Sequence, residues 1–337
     1  MKILVTGVAG FIGFHVARRL LQEGNHVVGL DNLNDYYDVN LKKDRLALLR
    51  EKDLFRFYAI DIADMPSVTA LFAQENVAAV IHLAAQAGVR YSLQNPLAYV
   101  QANLTGFLSI LEGCRNNPLS HLVYASTSSV YGLNTSLPFC ENDPVNHPAS
   151  LYAATKRSNE LMAHAYAHLY GIPVTGLRFF TVYGPWGRPD MVPFLFTRAI
   201  LAGTPINIFN EGKMQRDFTY IDDIVEGIIR VLPQIPAPDA SWSAALPFPA
   251  ASSAPFRIYN IGNNKTIPLE HFIAVLEDAL GKKAVRKYLP MQKGDVVATY
   301  ADISALNAAV GFSPRTPLEV GLPLFVAWHK EYYKQRG

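Results

Sequence analysis

Residues 2–13, KILVTGVAGFIG, decide the fold of this chain. Residues 2–6 are typical of a short buried strand, and a turn with glycines at Gly7, Gly10 and Gly13 follows before a helical stretch begins. Glycines here allow a tight turn, let a pyrophosphate approach the backbone, and turn the helix N-terminus towards the phosphates. Glycine turns also occur for structural reasons alone, so the flanking strand and helix give the motif its meaning. The stretch predicts the first strand, turn and helix of a dinucleotide-binding domain.

Strand-like and helical segments alternate along the first half of the chain. Helical patterns lie near residues 66–75, 97–116 and 151–170. The further strand-like runs are 26–30, 55–59, 78–83, 121–125 and 174–179. This alternation predicts an α/β fold with a Rossmann-like, doubly wound parallel sheet, in which ligands bind beyond the carboxyl ends of the strands.

The rhythm changes after about residue 180, where prolines become frequent and the segments are mixed. We expect residues 1–180 to form the dinucleotide-binding domain, rejoined by parts of 219–262. Residues 181–337 would then form mainly a smaller, interleaved lobe that binds the substrate. The stretch 233–255 contains six prolines among Ala and Ser and is expected to be a surface loop.

Composition excludes several functional classes. The chain has 337 residues, of which 50% are hydrophobic, and 30 basic against 28 acidic side chains leave a net charge of +2. That balance argues against nucleic-acid binding driven by bulk charge. No apolar run reaches the roughly 18–20 residues of a membrane span, and the two cysteines favour a reduced compartment. We therefore expect a cytoplasmic protein without a membrane or nucleic-acid partner. The nine histidines are scattered, so no metal is expected.

Asp31 indicates which dinucleotide is bound. It closes the second predicted strand, where a carboxylate can accept hydrogen bonds from the adenosine ribose hydroxyls and would repel a 2′-phosphate. This favours NAD over NADP. Asp61 follows the next strand and is a candidate contact at the adenine edge, although alone it could equally be a turn cap.

Tyr152 and Lys156 form a YxxxK motif on a predicted helix. Residues four apart share one helix face, so the phenol and the ammonium can reach the same pocket. A nearby Lys⁺ and a bound nicotinamide cation would favour the phenolate, which can act as general base on a sugar hydroxyl. A lone YxxxK is more often structural. The hydroxyl cluster STSS at 126–129, at another strand end, favours a catalytic function.

Taken together, these motifs resemble the extended short-chain dehydrogenase/reductase superfamily over nearly the whole chain. Within it, four long strings most resemble the UDP-glucuronate 4-epimerases. They are DNLNDYYD at 31–38, AAQAGVRYS at 84–92, RFFTVYGPWGRPDM at 178–191 and NEGKMQRDFTYIDD at 210–223.

The resemblance implies a reaction and roles for three residues. Tyr152 would be the catalytic base and acid, Lys156 would bind the nicotinamide ribose, and Thr127 would assist Tyr152. In the implied cycle, the C4 hydroxyl proton goes to Tyr152 and the C4 hydride to NAD⁺. The 4-keto sugar acid then turns about its diphosphate linkage and hydride returns to the opposite face. UDP-glucuronate and UDP-galacturonate would thereby interconvert.

The resemblance also implies the binding residues. The expected cofactor contacts are Gly7, Gly10, Phe11, Ile12, Gly13, Asp31, Asn32, Asp61, Ile62, Leu83, Ala84, Ala85, Gln86, Asn103, Ser126, Tyr152 and Lys156. The expected substrate contacts are Arg90, Thr127, Ser128, Ser129, Thr181, Arg188, Arg216 and Asp295. Arg188 could bind the sugar carboxylate or the diphosphate, and Arg216 would bind the diphosphate. Arg90 could bind the diphosphate or anchor its loop. Asp295 would lie near the uridine, although Lys293 stands where the family usually has proline.

Missing acids separate this chain from other members of the superfamily. Related UDP-glucuronate decarboxylases carry Glu at the position of Ser129, and related 4,6-dehydratases carry an Asp-Glu pair at Ser128 and Ser129. Uncharged groups there avoid repelling a sugar carboxylate. UDP-galactose 4-epimerases commonly have Asn at Thr181, so this departure also favours a sugar acid.

Two further classes remain as alternatives. One is a decarboxylase, dehydratase or other epimerase on the same scaffold, and the other is a non-catalytic dinucleotide sensor, which would often lack Tyr152 or Lys156. By analogy with the superfamily, we expect a homodimer that pairs the helices at 97–116 and 151–170.

Overall fold

The computed structural model describes residues 1–292 and 294–334. The strands are β1 (Lys2–Thr6), β2 (His26–Asp31), β3 (Phe55–Ala59), β4 (Ala79–His82), β5 (His121–Thr127), β6 (Val174–Phe179), β7 (Thr181–Tyr183), β8 (Pro205–Phe209), β9 (Gln215–Tyr220), β10 (Phe256–Ile261), β11 (Thr266–Pro268) and β12 (Val285–Leu289).

The helices alternate with these strands in the first half of the chain. They are α1 (Phe11–Gln22), α2 (Val39–Arg50), α3 (Met65–Glu75), α4 (Tyr91–Gln94), α5 (Pro96–Tyr99), α6 (Gly106–Asn116), α7 (Leu151–Tyr170), α8 (Val192–Ala202), α9 (Ile221–Val231), α10 (Leu269–Leu280), α11 (Ser304–Val310) and α12 (Leu318–Lys334). None of the described helices is both long and apolar enough to span a membrane.

A seven-stranded parallel sheet forms the centre of the molecule, in the order β10-β6-β5-β4-β1-β2-β3. Its central strands β1 and β4 are buried on both faces because helices cover both. Helices α3, α6 and α7 pack on one face, and α1 and α9 on the other. The predicted doubly wound sheet is confirmed. Strand order reverses between β1 and β4, so the loops after these two strands diverge and leave a crevice for a ligand.

The second half of the chain builds two small sheets beside the carboxyl edge of the main one. One has the order β11-β9-β7 and the other pairs β12 with β8. Strand β10 returns to the main sheet and pairs with β6. Between α9 and β10 the chain forms no regular helix or strand, only an isolated bridge between Ala251 and Arg257.

The helical pattern predicted near 97–116 is confirmed, but the helix is not regular throughout. A π-helical segment, Val100–Thr105, lies between α5 and α6. At its centre Asn103 is buried, accepts a hydrogen bond from the Gln86 N–H (2.9 Å) and donates to the Thr155 hydroxyl (3.0 Å). The wider π-helical turn places Asn103 where its side chain can make these hydrogen bonds. The regular helical periodicity of the sequence did not predict this turn. Strand ends also shifted, since β4 is shorter than 78–83 and β5 continues two residues further, to Thr127.

Candidate active site

The glycine loop after β1 has no room for side chains. Gly7 has φ +69°, and a Cβ there would lie 2.8 Å from the Ala84 nitrogen, across the crevice. A Cβ on Gly13 would lie 2.1 Å from the Gly7 carbonyl oxygen, and one on Gly10 2.9 Å from the same atom. Helix α1 begins immediately afterwards, at Phe11. The loop is therefore a bare backbone cradle at a helix N-terminus, which fits a pyrophosphate.

Asp31 is buried at the end of β2, and its two carboxylate oxygens bind different loops, one after β1 and one after β2. Its Oδ2 accepts from the Ala9 N–H (3.1 Å) and its Oδ1 from the Leu33 N–H (2.8 Å). Burial raises the pKa of Asp31, and these N–H groups oppose that rise. Each oxygen keeps a lone pair, which suits two ribose hydroxyls. Nearby, Asn32 donates to Asp61 (2.8 Å), so two of the predicted adenine-side residues are in direct contact.

The opposite wall of the crevice is the loop after β4. The Thr6 hydroxyl accepts from the N–H groups of Leu83 (3.2 Å) and Ala84 (3.1 Å), which fixes the start of this loop. Asn103 fixes its continuation through both the N–H and the carbonyl of Gln86. Ile62 packs beneath, close to Gly106. Thr6 was not among the predicted residues, because it lies inside the first strand.

Tyr152 and Lys156 lie on α7, which Ser150 caps by accepting from the Ala153 N–H (3.1 Å). Lys156 is 2% exposed. Burial lowers the pKa of Lys156 to about 7, while the negative charge of Glu160, one turn further along α7, acts in the opposite direction. Lys156 is thus a buried amine whose charge depends on what lies beside it.

Burial raises the pKa of the Tyr152 phenol above its ordinary value. Hydrogen bonding with Thr127 and the positive charge of Arg188 both oppose that rise. The sequence analysis expected this influence from Lys156 and a bound nicotinamide. The tertiary structure supplies a cation that the motif does not contain, Arg188, from a segment 36 residues further along the chain (188 minus 152).

The hydroxyl cluster after β5 divides into two parts. Thr127 donates to the Ser129 hydroxyl (3.3 Å) and accepts from the Ser129 N–H (3.2 Å), and Ser128 and Ser129 are half-buried beside it. Thr181, at the start of β7, is also half-buried. Ser126 instead donates its hydroxyl to Glu160 (2.7 Å). A cofactor contact of Ser126 would therefore come from its main chain.

Glu160 belongs to a buried ion pair beneath α7. Its two oxygens accept from Nε and Nη2 of Arg178, at 2.9 and 3.0 Å. Both side chains are fully buried, and the pairing holds the pKa of Glu160 below its usual value despite burial. Arg178 was quoted in the sequence motif without a role. It joins α7 to β6 and so supports the helix that carries Tyr152 and Lys156.

Arg188 is held by a carboxylate. Its Nε donates to Asp190 Oδ1 (3.0 Å) and its Nη2 to Oδ2 (2.6 Å), and the hydroxyl of Tyr36 donates to Oδ2 as well (3.0 Å). Tyr36 comes from the loop after β2, which starts beside Asp31. Cofactor-side and substrate-side loops therefore meet at this pair.

The other predicted cations form a separate group. Arg90 and Asp295 make an exposed ion pair at 3.3 Å, and the Arg90 guanidinium lies 5.0 Å from the centre of the Phe209 ring. Arg216 donates to the carbonyls of Gln215 and Val297. Burial lowers the pKa of Arg216, and the charge of Asp295 opposes this. The predicted departure at Lys293 lies outside the described residues.

Arg45, on α2, was missed by sequence reasoning. It is fully buried, and its Nη1 donates to the carbonyl of Ala9 (2.8 Å) in the glycine loop. Its Nη2 donates to the carbonyl of Trp186 (2.6 Å), two residues before Arg188. The sequence signal that could have revealed Arg45 is its spacing, since this charged residue lies one helical turn from both Leu41 and Leu49 on the buried side of α2.

The described residues contain no group of three or more His, Cys, Asp and Glu side chains that could hold a metal ion. The arrangement is instead a dinucleotide crevice leading to a tyrosine with hydroxyl and cationic neighbours. Residues 3–262 match the model of the NAD dependent epimerase/dehydratase family, and the chain belongs to that family.

Relatives in this family are similar over nearly the full chain. UDP-glucuronate 4-epimerase 2 of Arabidopsis thaliana is 48% identical, over 100% of this chain and 77% of that protein. The crystal structure of UDP-glucuronic acid 4-epimerase from Bacillus cereus, in complex with UDP-glucuronic acid and NAD, is 34% identical. It covers 99% of this chain and 100% of its own, with a TM-score of 0.87. A UDP-glucose 4-epimerase from Thermotoga maritima, crystallised with UDP-glucose, is 29% identical over 99% of this chain and 100% of its own, with a TM-score of 0.83. Overall shape therefore does not separate sugar acids from neutral sugars, and the site residues must.

Proposed function

We propose that this protein is an NAD-dependent UDP-glucuronate 4-epimerase. The main support is that the hydroxyl of Thr127, which is hydrogen-bonded to Ser129, and the positive charge of Arg188 both act on the phenol of Tyr152. A sugar whose C4 hydroxyl reaches Tyr152 would place its C5 substituent among these groups. Cations and hydroxyl donors bind a carboxylate there, whereas a neutral CH₂OH group would not need the cation.

The crevice fits NAD. The side-chain-free glycine cradle suits the pyrophosphate, and the oxygens of Asp31 suit the ribose hydroxyls and disfavour a 2′-phosphate. Asn32 and Asp61 would contact the adenine edge, and the loop from Leu83 to Gln86 would line the other side. When bound, NAD⁺ supplies a reversible hydride acceptor for the sugar C4.

Tyr152 would move the proton. As phenolate it accepts the C4 hydroxyl proton when the sugar is oxidised, and it returns that proton when the carbonyl is reduced. Lys156 would hold the nicotinamide ribose, and Thr127 would hold the reacting hydroxyl in line with the phenol. Because proton and hydride both return, no net redox change occurs.

The two cationic groups would bind different parts of the substrate. The charge of Arg188 acts on Tyr152, so we assign Arg188 to the carboxylate on the sugar ring. Arg216 and Arg90 lie with Asp295 and would hold the diphosphate and the adjoining nucleoside. Ser128, Ser129 and Thr181 would donate to the carboxylate without adding negative charge.

A decarboxylase remains the second candidate, because the 4-keto intermediate is a β-keto acid that loses CO₂ readily. Ser128 and Ser129, with no acid at either position, favour the epimerase. A proton NMR time course with UDP-glucuronate, before and after adding NAD, separates the two. Growth of a UDP-galacturonate anomeric signal to a constant ratio is expected, and dominant UDP-pentose signals would overturn the proposal.

The control for this experiment is Tyr152→Phe. It removes the proton acceptor and keeps the ring, so we expect turnover to fall by at least about 100-fold with NAD still bound. Full activity of this variant would contradict the role of Tyr152. Equal losses on UDP-glucuronate and UDP-glucose in Arg188→Met would contradict its role at the carboxylate.

The domain division and assembly are also proposals. Residues 1–180, rejoined by parts of 219–262 through β10, would bind NAD, and 181–337 mainly the substrate. We place the protein in the cytoplasm, as the sequence suggests, and propose that it is a homodimer. Exposed leucines on α5 and α7, namely Leu97, Leu161 and Leu169, support the dimer, because exposed apolar side chains suit pairing with a second copy. A monomeric mass in light scattering at micromolar concentration would reject the dimer.

A further inference from the structure

The anion bound to Arg188 is part of the protein itself. Asp190 occupies the Nε and Nη2 edge of the guanidinium, and both side chains are half-buried, at 21% and 28% exposure. Burial raises the pKa of Tyr36 to about 12, so its hydroxyl stays protonated and donates to Asp190. The charge of Arg188 holds the pKa of Asp190 below its ordinary value despite burial. The pair is therefore ionised and neutral overall.

The surrounding backbone leaves this pair little freedom. Gly88 has φ +104°, and a Cβ there would lie 2.9 Å from the Tyr36 hydroxyl and 3.7 Å from Arg188 Nη2. Arg188 Nη1 makes no hydrogen bond to any of the described residues. One edge of the guanidinium is thus fixed by Asp190, and Nη1 remains available to a ligand.

A neutral pair binds a second anion less strongly than an isolated guanidinium does, because Asp190 repels the anion that Arg188 attracts. This matters for a reaction that inverts C4. Tyr152 is fixed on α7, so the sugar must turn between losing and regaining its hydrogen. The carboxylate turns with the ring, and its contact with Arg188 must break in every cycle.

We propose that Asp190, held in place by Tyr36, weakens the binding of the substrate carboxylate to Arg188, so that the sugar can rotate between its oxidation and its reduction. Asp190 is a positioning residue in this reaction. The hydroxyl of Tyr36 donates a hydrogen bond to Asp190 and so reduces the negative charge that Asp190 presents to Arg188. The inference rests on the proposed epimerase function and on Arg188 as the carboxylate contact.

The test uses Asp190→Asn in the holoenzyme. Asn keeps the shape and an acceptor for Arg188 but removes the charge. We expect the KM for UDP-glucuronate to fall about fivefold and kcat to fall about tenfold, because binding tightens while turning slows. The kinetic isotope effect of C4-deuterated substrate on kcat should fall towards 1, since hydride transfer no longer limits the rate. The inhibition constant of UDP-glucose, which has no carboxylate, should change less than twofold.

Tyr36→Phe provides the matched variant. It keeps the ring and removes the hydroxyl, so the charge of Asp190 faces Arg188 undiminished. We expect the KM for UDP-glucuronate to rise two- to threefold, in the direction opposite to Asp190→Asn. Both variants should keep bound NAD and the wild-type melting profile.

The outcomes separate the two proposals. If the wild-type enzyme forms no UDP-galacturonate, the proposed function fails. If it does so and Asp190→Asn raises KM, or leaves the isotope effect unchanged, Asp190 only holds Arg188 in place and the inference is overturned. A shift of KM in the same direction in both variants would overturn it as well. Opposite shifts, with UDP-glucose inhibition unaffected, support it.

Discussion

Single residues in this protein act according to what surrounds them. Tyr152 and Lys156 are both shifted away from the charged form by burial, and each is pushed back by a neighbour from another segment or turn. For Tyr152 the neighbours are Thr127, by a hydrogen bond, and Arg188, by its charge, and for Lys156 it is Glu160. The chemistry of the motif thus depends on charges that the motif does not contain.

Lys156 predicts a pH dependence of stability in the NAD-free protein. Its folded pKa of about 7 lies below the unfolded value of 10.5. Below pH 7 the cost of burying the charge is complete, and it is relieved as pH rises towards 10.5, because only the unfolded chain still binds the proton. Wild-type stability should therefore gain up to about 1.4 kcal/mol per pH unit in that window relative to Lys156→Met.

Urea unfolding of both proteins at pH 7, 8 and 9 measures this difference. Lys156→Met should be the more stable protein at pH 7, and the gap should narrow at each step. A gap that is constant with pH would show that Lys156 does not titrate in this range.

At the scale of elements, α7 and β6 are joined by the buried pair of Glu160 and Arg178. Neither side chain is exposed, and the two hydrogen bonds between them are parallel. Arg178 also donates to the hydroxyl of Tyr131, whose ring follows β5. This ion pair therefore fixes the position of α7, and with it of Tyr152, relative to the ends of two neighbouring strands.

Glu160→Gln should be strongly destabilising, by about 3–5 kcal/mol, because it leaves Arg178 as an uncompensated buried charge. Arg157→Ala is the matched control, since Arg157 pairs with the same carboxylate (2.8 Å) but is partly exposed. It should cost less than about 1 kcal/mol. Denaturant unfolding gives both values, and equal costs would mean that burial of the Arg178 pair does not matter.

At the scale of the whole molecule, Arg45 connects the two loops to which we assign the cofactor and the substrate. Its guanidinium joins the glycine loop at Ala9 to the segment before Arg188 at Trp186. Arg45 forms no ion pair with the described residues. Its charge is stabilised by hydrogen bonds to carbonyl groups and to the Tyr37 hydroxyl (2.8 Å). Loss of this side chain would leave buried carbonyls unpaired in both loops.

Arg45→Met should therefore weaken NAD binding. At saturating NAD it should also raise the KM for UDP-glucuronate by roughly tenfold, because one or two hydrogen bonds that hold the substrate loop are lost. Lys42→Met is the control from the same helix, because Lys42 donates its hydrogen bonds to Asn34, on the ribose side, and otherwise lies over the ring of Tyr37 (4.6 Å). It should affect NAD binding alone. Titration of NAD followed by initial rates measures both effects, and an unchanged KM in Arg45→Met would refute the connection.

The sequence alone determined the parallel sheet, the glycine cradle, the acid at Asp31 and the placing of Tyr152 and Lys156 on one helix. These depend on local order, namely on strand, turn and helix following one another and on residues four apart sharing a helix face. Only the tertiary structure decided the π-helical break around Asn103, the partner of Arg188 and the position of Arg45. Asn103 and Arg45 contact segments that are far from them in the chain, and Asp190, although only two residues from Arg188, is fixed by Tyr36 from the loop after β2. The folding of the sheet brings these segments together.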